Sequence, residues 1–199
     1  MKVIFLDNDG VICLANNWGS RHKKQKKFFT EDNPRKGFGD NGPVEVRFDN
    51  FDQKAVKVLN KILEETGAEI VVSSDWRYHA NLEELGDYYE SQGIVKRPIA
   101  VTDRFKDIFP KEWTSLRFRA DLELERSMEI NHWIENHPDI THWVAIDDLD
   151  MSVDYLGKRF SAKDGSDSKP GLTNFVHTPR SNEGIKQSGV KDKIIKFLR

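Results

Sequence analysis

The sequence predicts an α/β fold: about five parallel strands flanked by helices, with a small inserted segment after the first strand. Three observations predict it. Short apolar runs recur and end in polar or acidic residues, at Asp7/Asp9, Ser73/Ser74 and Asp147/Asp148. Stretches with helical apolar spacing lie between them. The first run, Val3-Ile4-Phe5-Leu6, is continuous rather than alternating, which suits a strand buried on both faces of a parallel sheet.

That first strand runs into Asp7-Asn8-Asp9-Gly10. In open α/β sheets, ligands sit at the carboxyl ends of strands. Asp7 and Asp9 point the same way only if the chain is still extended there. If it has begun to turn, one offers a carboxylate and the other a backbone carbonyl. Two carboxylates at one strand end repel, so the site wants a cation or a shared proton. Gly10 permits a sharp turn behind them.

Residues 14–50 lose any sustained period and read as an inserted basic flap or small cap over the first strand's site. Arg21-His22-Lys23-Lys24-Gln25-Lys26-Lys27-Phe28-Phe29 places five Lys/Arg within seven residues, followed by two aromatics. Lys23, Lys24, Lys26 and Lys27 are candidate contacts to a phosphate backbone, with Phe28 and Phe29 offered for stacking on a base. A solvated surface run is the plainer reading of the same residues. Residues 31–43 are dense in breakers and predict loop. Val44-Glu45-Val46-Arg47-Phe48 alternates and predicts an exposed strand.

A helix follows, with Phe51, Ala55, Val58, Leu59, Ile62 and Leu63 on one face, Asn50 as its cap and Gly67 as its stop. Ala68 to Val72 is a second strand. A right-handed crossover makes it a parallel neighbour of the first, so Ser73 and Ser74 arrive beside Asp7 and Asp9. Asn81 caps a helix that reaches Gln92 and stops at Gly93. Pro98 to Thr102 is a third strand, and residues 103–122, with Phe105, Ile108, Phe109 and Trp113, an irregular excursion. A helix from about Glu123 to Asn136 offers Leu124, Met128, Trp133 and Ile134 to the core and ends before Pro138. Trp143 to Ile146 is a fourth strand, closed by Asp147-Asp148-Leu149-Asp150. Ser161 to Gly171 is a polar loop, Thr173 to Thr178 a fifth strand, and Gly184 to Leu198 a terminal helix.

Bulk properties narrow the function classes. The 199 residues suit a single domain, read as 1–199 with the insertion at 14–50. Charged residues make up 32%, yet the formal net charge is −2, so no global field demands nucleic acid or a membrane. The lone Cys13 excludes an internal disulfide framework, fits a reducing compartment and sits in apolar company as a small buried hydrophobe. No apolar run approaches the ~18 residues of a membrane span. The expectation is a soluble cytoplasmic protein.

Asp7-Asn8-Asp9-Gly10, Ser73, Arg126 and Asp147-Asp148 appear in the order in which the haloacid dehalogenase (HAD) superfamily carries its four motifs, and the chain resembles that superfamily. Ser73-Ser74-Asp75-Trp76-Arg77 and the run from Arg126 to Ile134 resemble the small HAD proteins linked with RNA repair systems. The resemblance implies a Rossmann-like HAD fold and a Mg2+-dependent phosphatase. It assigns Asp7 and Asp148 as carboxylate ligands of Mg2+, with the backbone carbonyl of Asp9 as a third. Asp147 either joins that set or orients Asp148 and the loop. Asp7 would attack phosphorus to form an aspartyl-phosphate, and Asp9 would serve as acid and then base. Ser73 would hold phosphoryl oxygens, with Ser74 as the next candidate. Arg126 would balance their charge, with Lys111, Arg117 and Arg119 as rivals.

The implied partner is a phosphorylated substrate, with nucleotides and nucleic-acid ends as candidates and no membrane. Three alternatives stand beside this reading. A dehalogenase in the narrow sense lacks the second acid, which Asp9 supplies here. A phosphomutase usually carries a larger cap than residues 78–122 offer. A repair-associated module could bind nucleic acid without turnover. His132, His137 and His142 do not share a helix face and read as ordinary surface or core residues. The Asp164-Gly165-Ser166-Asp167 loop lacks the further positions of a calcium loop.

Overall fold

The computed structural model describes residues 1–37, 39–108, 122–152 and 172–199. The expectations placed on Phe109, Lys111, Trp113, Arg117, Arg119 and the Ser161–Gly171 loop lie outside these residues. Strand β1 (Lys2–Leu6) runs through the middle of a five-stranded parallel sheet with β2 (Glu69–Val72), β3 (Ala100–Val101), β4 (His142–Asp147) and β5 (Phe175–His177), in the order β3-β2-β1-β4-β5. Sequence order reverses direction between β1 and β4. The crevice at such a switch point is where open α/β sheets bind ligands. Asp7 leaves the end of β1 there, and Asp147 closes β4 beside it.

The continuous apolar run of β1 has a direct structural reason. Val3, Ile4, Phe5 and Leu6 are all fully buried, in two separate cores. Ile4 and Leu6 join the larger core, together with Ala55, Leu59, Ile62 and Leu63 of helix α3 (Gln53–Thr66), Leu85, Tyr88 and Tyr89 of α4 (Leu82–Ser91) and Ile194 and Ile195 of α7 (Val190–Phe197). Val3 and Phe5 face the other side, against Ile130 and Trp133 of α6 (Leu122–Glu135). Phe5 meets Trp133 edge to face at 5.5 Å. Alternation along the strand thus sends odd residues toward α6 and even residues toward α3, α4 and α7. Each such side chain gains roughly 1.5–3 kcal/mol from burial.

Helix ends follow their local chemistry. Asn81 caps α4 with a full capping box: its side chain accepts from the Glu84 N–H while the Glu84 carboxylate accepts from the Asn81 N–H. Gly67 closes α3 in the left-handed region at φ 69°. Three expectations are corrected. The cap of α3 is Asp52, not Asn50, because only the Asp52 carboxylate reaches the free Lys54 and Ala55 N–H groups, at 3.0 and 2.9 Å. Residues Val44–Arg47 form a short helix, α2, rather than an exposed strand. Val44 and Phe48 are buried there, and Arg47 donates to both carboxylate oxygens of Glu84 at 3.1 Å, so a tertiary contact overrides the local alternation. The terminal helix also starts later than expected, at Val190, after a 3-10 turn over Gly184–Lys186.

Among the described residues, no helix is long and apolar enough to cross a membrane. Asp52→Ala should cost roughly 0.5–2 kcal/mol, as loss of a cap does. That corresponds to a melting-temperature fall of about 2–4 °C per kcal/mol at this chain length. Thermal unfolding measures it, and an unchanged midpoint would show that the cap contributes nothing.

Candidate active site

The parity of β1 decides what each residue after it meets. Asp7 continues the odd face and turns toward α6, where Arg126 donates to its Oδ1 at 2.7 Å. Asn8 continues the even face, where its side-chain oxygen accepts from the Tyr89 hydroxyl of α4 at 2.6 Å. The chain then turns: the Asn8 carbonyl accepts from the N–H groups of Val11, Ile12 and Cys13, and Gly10 takes φ 71°. A β-carbon on Gly10 would lie 2.6 Å from Cγ of Asp148, so glycine here is required by both conformation and space.

This turn separates the two acids of the first strand. Carboxylate oxygens of Asp7, Asp147 and Asp148 lie within 4.8 Å of one another. Asp9 does not contribute its carboxylate to that group; its Oδ2 accepts from the Trp76 indole N–H at 2.8 Å, and the Cys13 thiol bonds it as well. Of the two arrangements open in the sequence, the turned one holds.

Arg126 organises the cluster. One guanidinium nitrogen donates to Asp7 and, at 3.1 Å, to Asp147, while the other donates to Asp75 at 2.8 Å. Its helix is tied down by a buried pair one turn on: Arg77 donates to Glu129 at 2.6 Å, and the other Glu129 oxygen accepts from the Phe105 N–H at the start of α5 (Phe105–Ile108). Asp147 also accepts from the Leu149 N–H at 2.9 Å, so it shapes the loop while facing Asp7. The Asp148 carbonyl is 2.9 Å from Nε2 of His177 on β5.

Burial and crowding set the electrostatics. Burial, then the Asp147 charge, raises Asp7 well above the ordinary carboxylate range, against the lowering effect of Arg126. Burial, then Asp147, pushes Asp148 up to about 6. Burial also raises Asp9, against its hydrogen bond from Trp76. Burial works against the charge on Arg126, but Asp147, Asp7 and Asp75 outweigh it and keep the guanidinium protonated. The Cys13 thiol is driven up chiefly by burial, then by Asp9, which makes it a poor nucleophile.

Ser73 follows β2 and its N–H donates to the Leu6 carbonyl at 2.9 Å, which sets it beside Asp7. The hydroxyls of Ser73, Ser74 and Thr178 are buried without a hydrogen-bond partner among the described residues. Buried unpaired hydroxyls at strand ends are groups that a ligand oxygen would satisfy. The basic run lies on α1 (Ser20–Phe28). Lys23, Lys26 and Lys27 are exposed, but Lys24 is turned inward and donates to the Tyr88 hydroxyl at 3.0 Å. Phe28 and Phe29 pack edge to face on each other at 5.0 Å. His137 stacks on Trp133, away from the acids.

Cys13 is buried, as its apolar context predicts, but its bond to Asp9 is not foreseen, and the sequence assigns no role to Asp75, Trp76 or Tyr89. The first two belong to the run just past β2, and their proximity to a strand end is the signal that pointed to them. Tyr89 sits 81 positions from Asn8, and no spacing rule connects them.

The chain is matched by one family model, described as the HAD domain in Swiss Army Knife RNA repair proteins, over residues 3–183. No curated protein and no solved structure matches it.

A pH test follows from Asp148. Its carboxyl holds a proton more tightly in the fold, at about 6, than at its ordinary 3.8. Ionising it therefore weakens the fold, and its contribution to stability falls as the pH rises from about 4 to about 6. In metal-free buffer, Asp148→Asn should lose less thermal stability over that window than the wild type. Superimposable melting profiles would count against the assigned environment.

Proposed function

The chain belongs to the family of HAD domains in Swiss Army Knife RNA repair proteins, and from that premise we propose that it is a Mg2+-dependent phosphatase acting on phosphorylated nucleotides or nucleic-acid ends. The observation that carries the reading is the division of acids at the sheet edge: Asp7, Asp147 and Asp148 clustered with Arg126, and Asp9 held apart with a raised pKa.

The donor set fits the metal. The clustered carboxylates outnumber the one guanidinium they share, and hard oxygen ligands suit a divalent cation such as Mg2+. Asp7 and Asp148 would hold it, with Asp147 beside them and the Asp9 backbone carbonyl as a further candidate. Once bound, the ion shields the phosphate charge from the attacking carboxylate and favours the ionised form of Asp7.

The rest of the chemistry falls to side chains. Asp7 attacks phosphorus through one carboxylate oxygen, and the bond to the leaving oxygen breaks. Asp9, whose burial favours the protonated form, donates its proton to that oxygen. Water then attacks the aspartyl-phosphate, Asp9 takes the water's proton, and inorganic phosphate leaves with Asp7 regenerated. Arg126 and the unpaired Ser73 or Ser74 hydroxyl offer donors to the phosphoryl oxygens. The segment 14–50 is proposed as the flap beside this site, with Lys23, Lys26 and Lys27 of α1 available to a nucleic-acid backbone.

Asp7→Asn should abolish phosphate release while leaving the circular dichroism spectrum intact, because the amide keeps the shape but cannot attack. Wild-type-like turnover by that variant would remove Asp7 from the role. Chelation should likewise stop phosphate release from a nucleotide and Mg2+ should restore it, with Asp148→Ala weakening the metal response more than Asp150→Ala. Full activity in excess chelator would contradict the reading, and absence of turnover on every ester tried would leave a binding module.

A further inference from the structure

A cavity of about 300 Å3 opens directly beside Asp9, lined by Trp18, Arg21, Phe48, Asp49 and Trp76. That volume lies at the small end of ligand sites, about 300–1,000 Å3, and suits one compact organic group rather than a length of chain. Its walls are built of unlike parts. Phe48 and Trp76 stack in parallel at 4.3 Å and form a fixed aromatic side. Trp18 remains 51% exposed, although its indole N–H is already committed to the Cys13 carbonyl at 3.3 Å. What Trp18 presents is therefore apolar ring, and it has no ring partner among the described residues.

The polar side is equally specific. Asp49 is buried, and its Oδ1 accepts from the Ser20 hydroxyl and the Arg21 N–H at 3.2 and 2.7 Å. Its Oδ2 has only the Arg21 side chain, at 3.9 Å, among the described residues. That oxygen retains capacity to accept from a ligand hydroxyl or amino group. The Arg21 guanidinium is half exposed and adds donors at the rim.

Resting on the phosphatase reading, we propose that this cavity is a nucleoside subsite: it takes the base and sugar of the unit that carries the phosphate, with Trp18 as the stacking platform and Asp49 as the hydrogen-bond acceptor. Other leaving groups fit these walls less well. A sugar phosphate brings no aromatic ring to stack on Trp18, a plain alkyl group leaves Asp49 unmatched, and a polyphosphate faces two acids, Asp9 and Asp49. Position supports the same assignment. Asp9 forms one wall, so a nucleoside seated there has its phosphate ester oxygen on the side of the proposed proton donor. The nucleoside can come from a free nucleotide or from the terminus of a nucleic acid.

The test compares kcat/KM for a nucleoside monophosphate with that for glycerol phosphate, which lacks a ring. Trp18→Ala should lower this ratio roughly 5- to 150-fold, the range that base–aromatic stacking gives. Trp18→Phe should recover much of it, and Asp49→Asn should lower it while keeping the side-chain shape. Circular dichroism checks that each variant is folded. A ratio near one in the wild type, or one that Trp18→Ala leaves unchanged, overturns the subsite and leaves the phosphatase reading standing.

Calorimetric titration of the Asp7→Asn protein with the same two compounds reads binding without turnover. Ring-dependent binding that disappears in Asp7→Asn/Trp18→Ala supports the subsite even if no ester is hydrolysed by the wild type, and its absence overturns it. An oligonucleotide ending in the same nucleotide separates the sources. If the terminus is the source, Trp18→Ala impairs it as it impairs the mononucleotide, and Lys23, Lys26 and Lys27→Ala together flatten its salt dependence by a log–log slope of roughly 0.7 per lost contact. If the free nucleotide is the source, the mononucleotide is preferred and the lysine variants leave that preference in place.

Discussion

Asp7 and Asp147 are carried to the same edge of the sheet by adjacent strands, and both lose nearly all their water there. Two like charges about 4 Å apart repel by about 4 kcal/mol at an effective dielectric near 20. That is comparable to the whole stability of a marginal domain, about 5–15 kcal/mol. The fold meets this with one buried guanidinium. Arg126 bridges Asp7, Asp147 and Asp75, and its helix is pinned by the Arg77–Glu129 pair. Much of the architecture around the crevice serves to hold that cation in place: α6 carries it, the turn after β2 supplies Asp75, and α5 completes the Glu129 environment.

The different surroundings of Asp7 and Asp9 come from backbone geometry rather than from residue type. Asp7 and Asp9 are the same amino acid two positions apart. The turn at Asn8–Gly10 sends one toward a guanidinium and two other acids, and the other toward an indole N–H. Asp9 takes its hydrogen bonds from neutral groups, Trp76 and Cys13, whereas Asp7 lies beside a permanent cation that opposes the rise which burial and Asp147 impose on it. Tyr89 fixes the turn from the opposite face by holding Asn8, so α4 helps to orient the acids on either side of it.

The sheet, its strand ends and the main helices were legible in the sequence because each depends on local patterning. The unbroken apolar run of β1 marks burial on both faces, and Asn81 with Glu84 marks a helix start. That Asp7, Ser73 and Asp147 would gather at one edge of the sheet was legible because strand ends are local features and topology brings them together. What was not legible rests on distant partners. Val44–Phe48 alternates like a strand but becomes a helix because Arg47 finds Glu84, 37 positions away. Asn50 is as good a cap as Asp52 in isolation, and only chain direction decides between them. Lys24 reads as one more solvated cation in a basic run, yet its neighbour Tyr88 lies 64 residues on.

Gly10 gives the acid cluster a steric gate that no inventory of acids records. Its hydrogen occupies the space against which the Asp148 carboxylate rests. A chain that kept every acid and gained a single methyl at position 10 would have to move Asp148 or reshape the turn. Competence of such a site is thus a property of volume as well as of charge. When other chains of this kind are judged from their sequences, an intact set of aspartates with a bulkier residue in this place describes a displaced acid cluster, and should be read as a different site rather than a conservative variant.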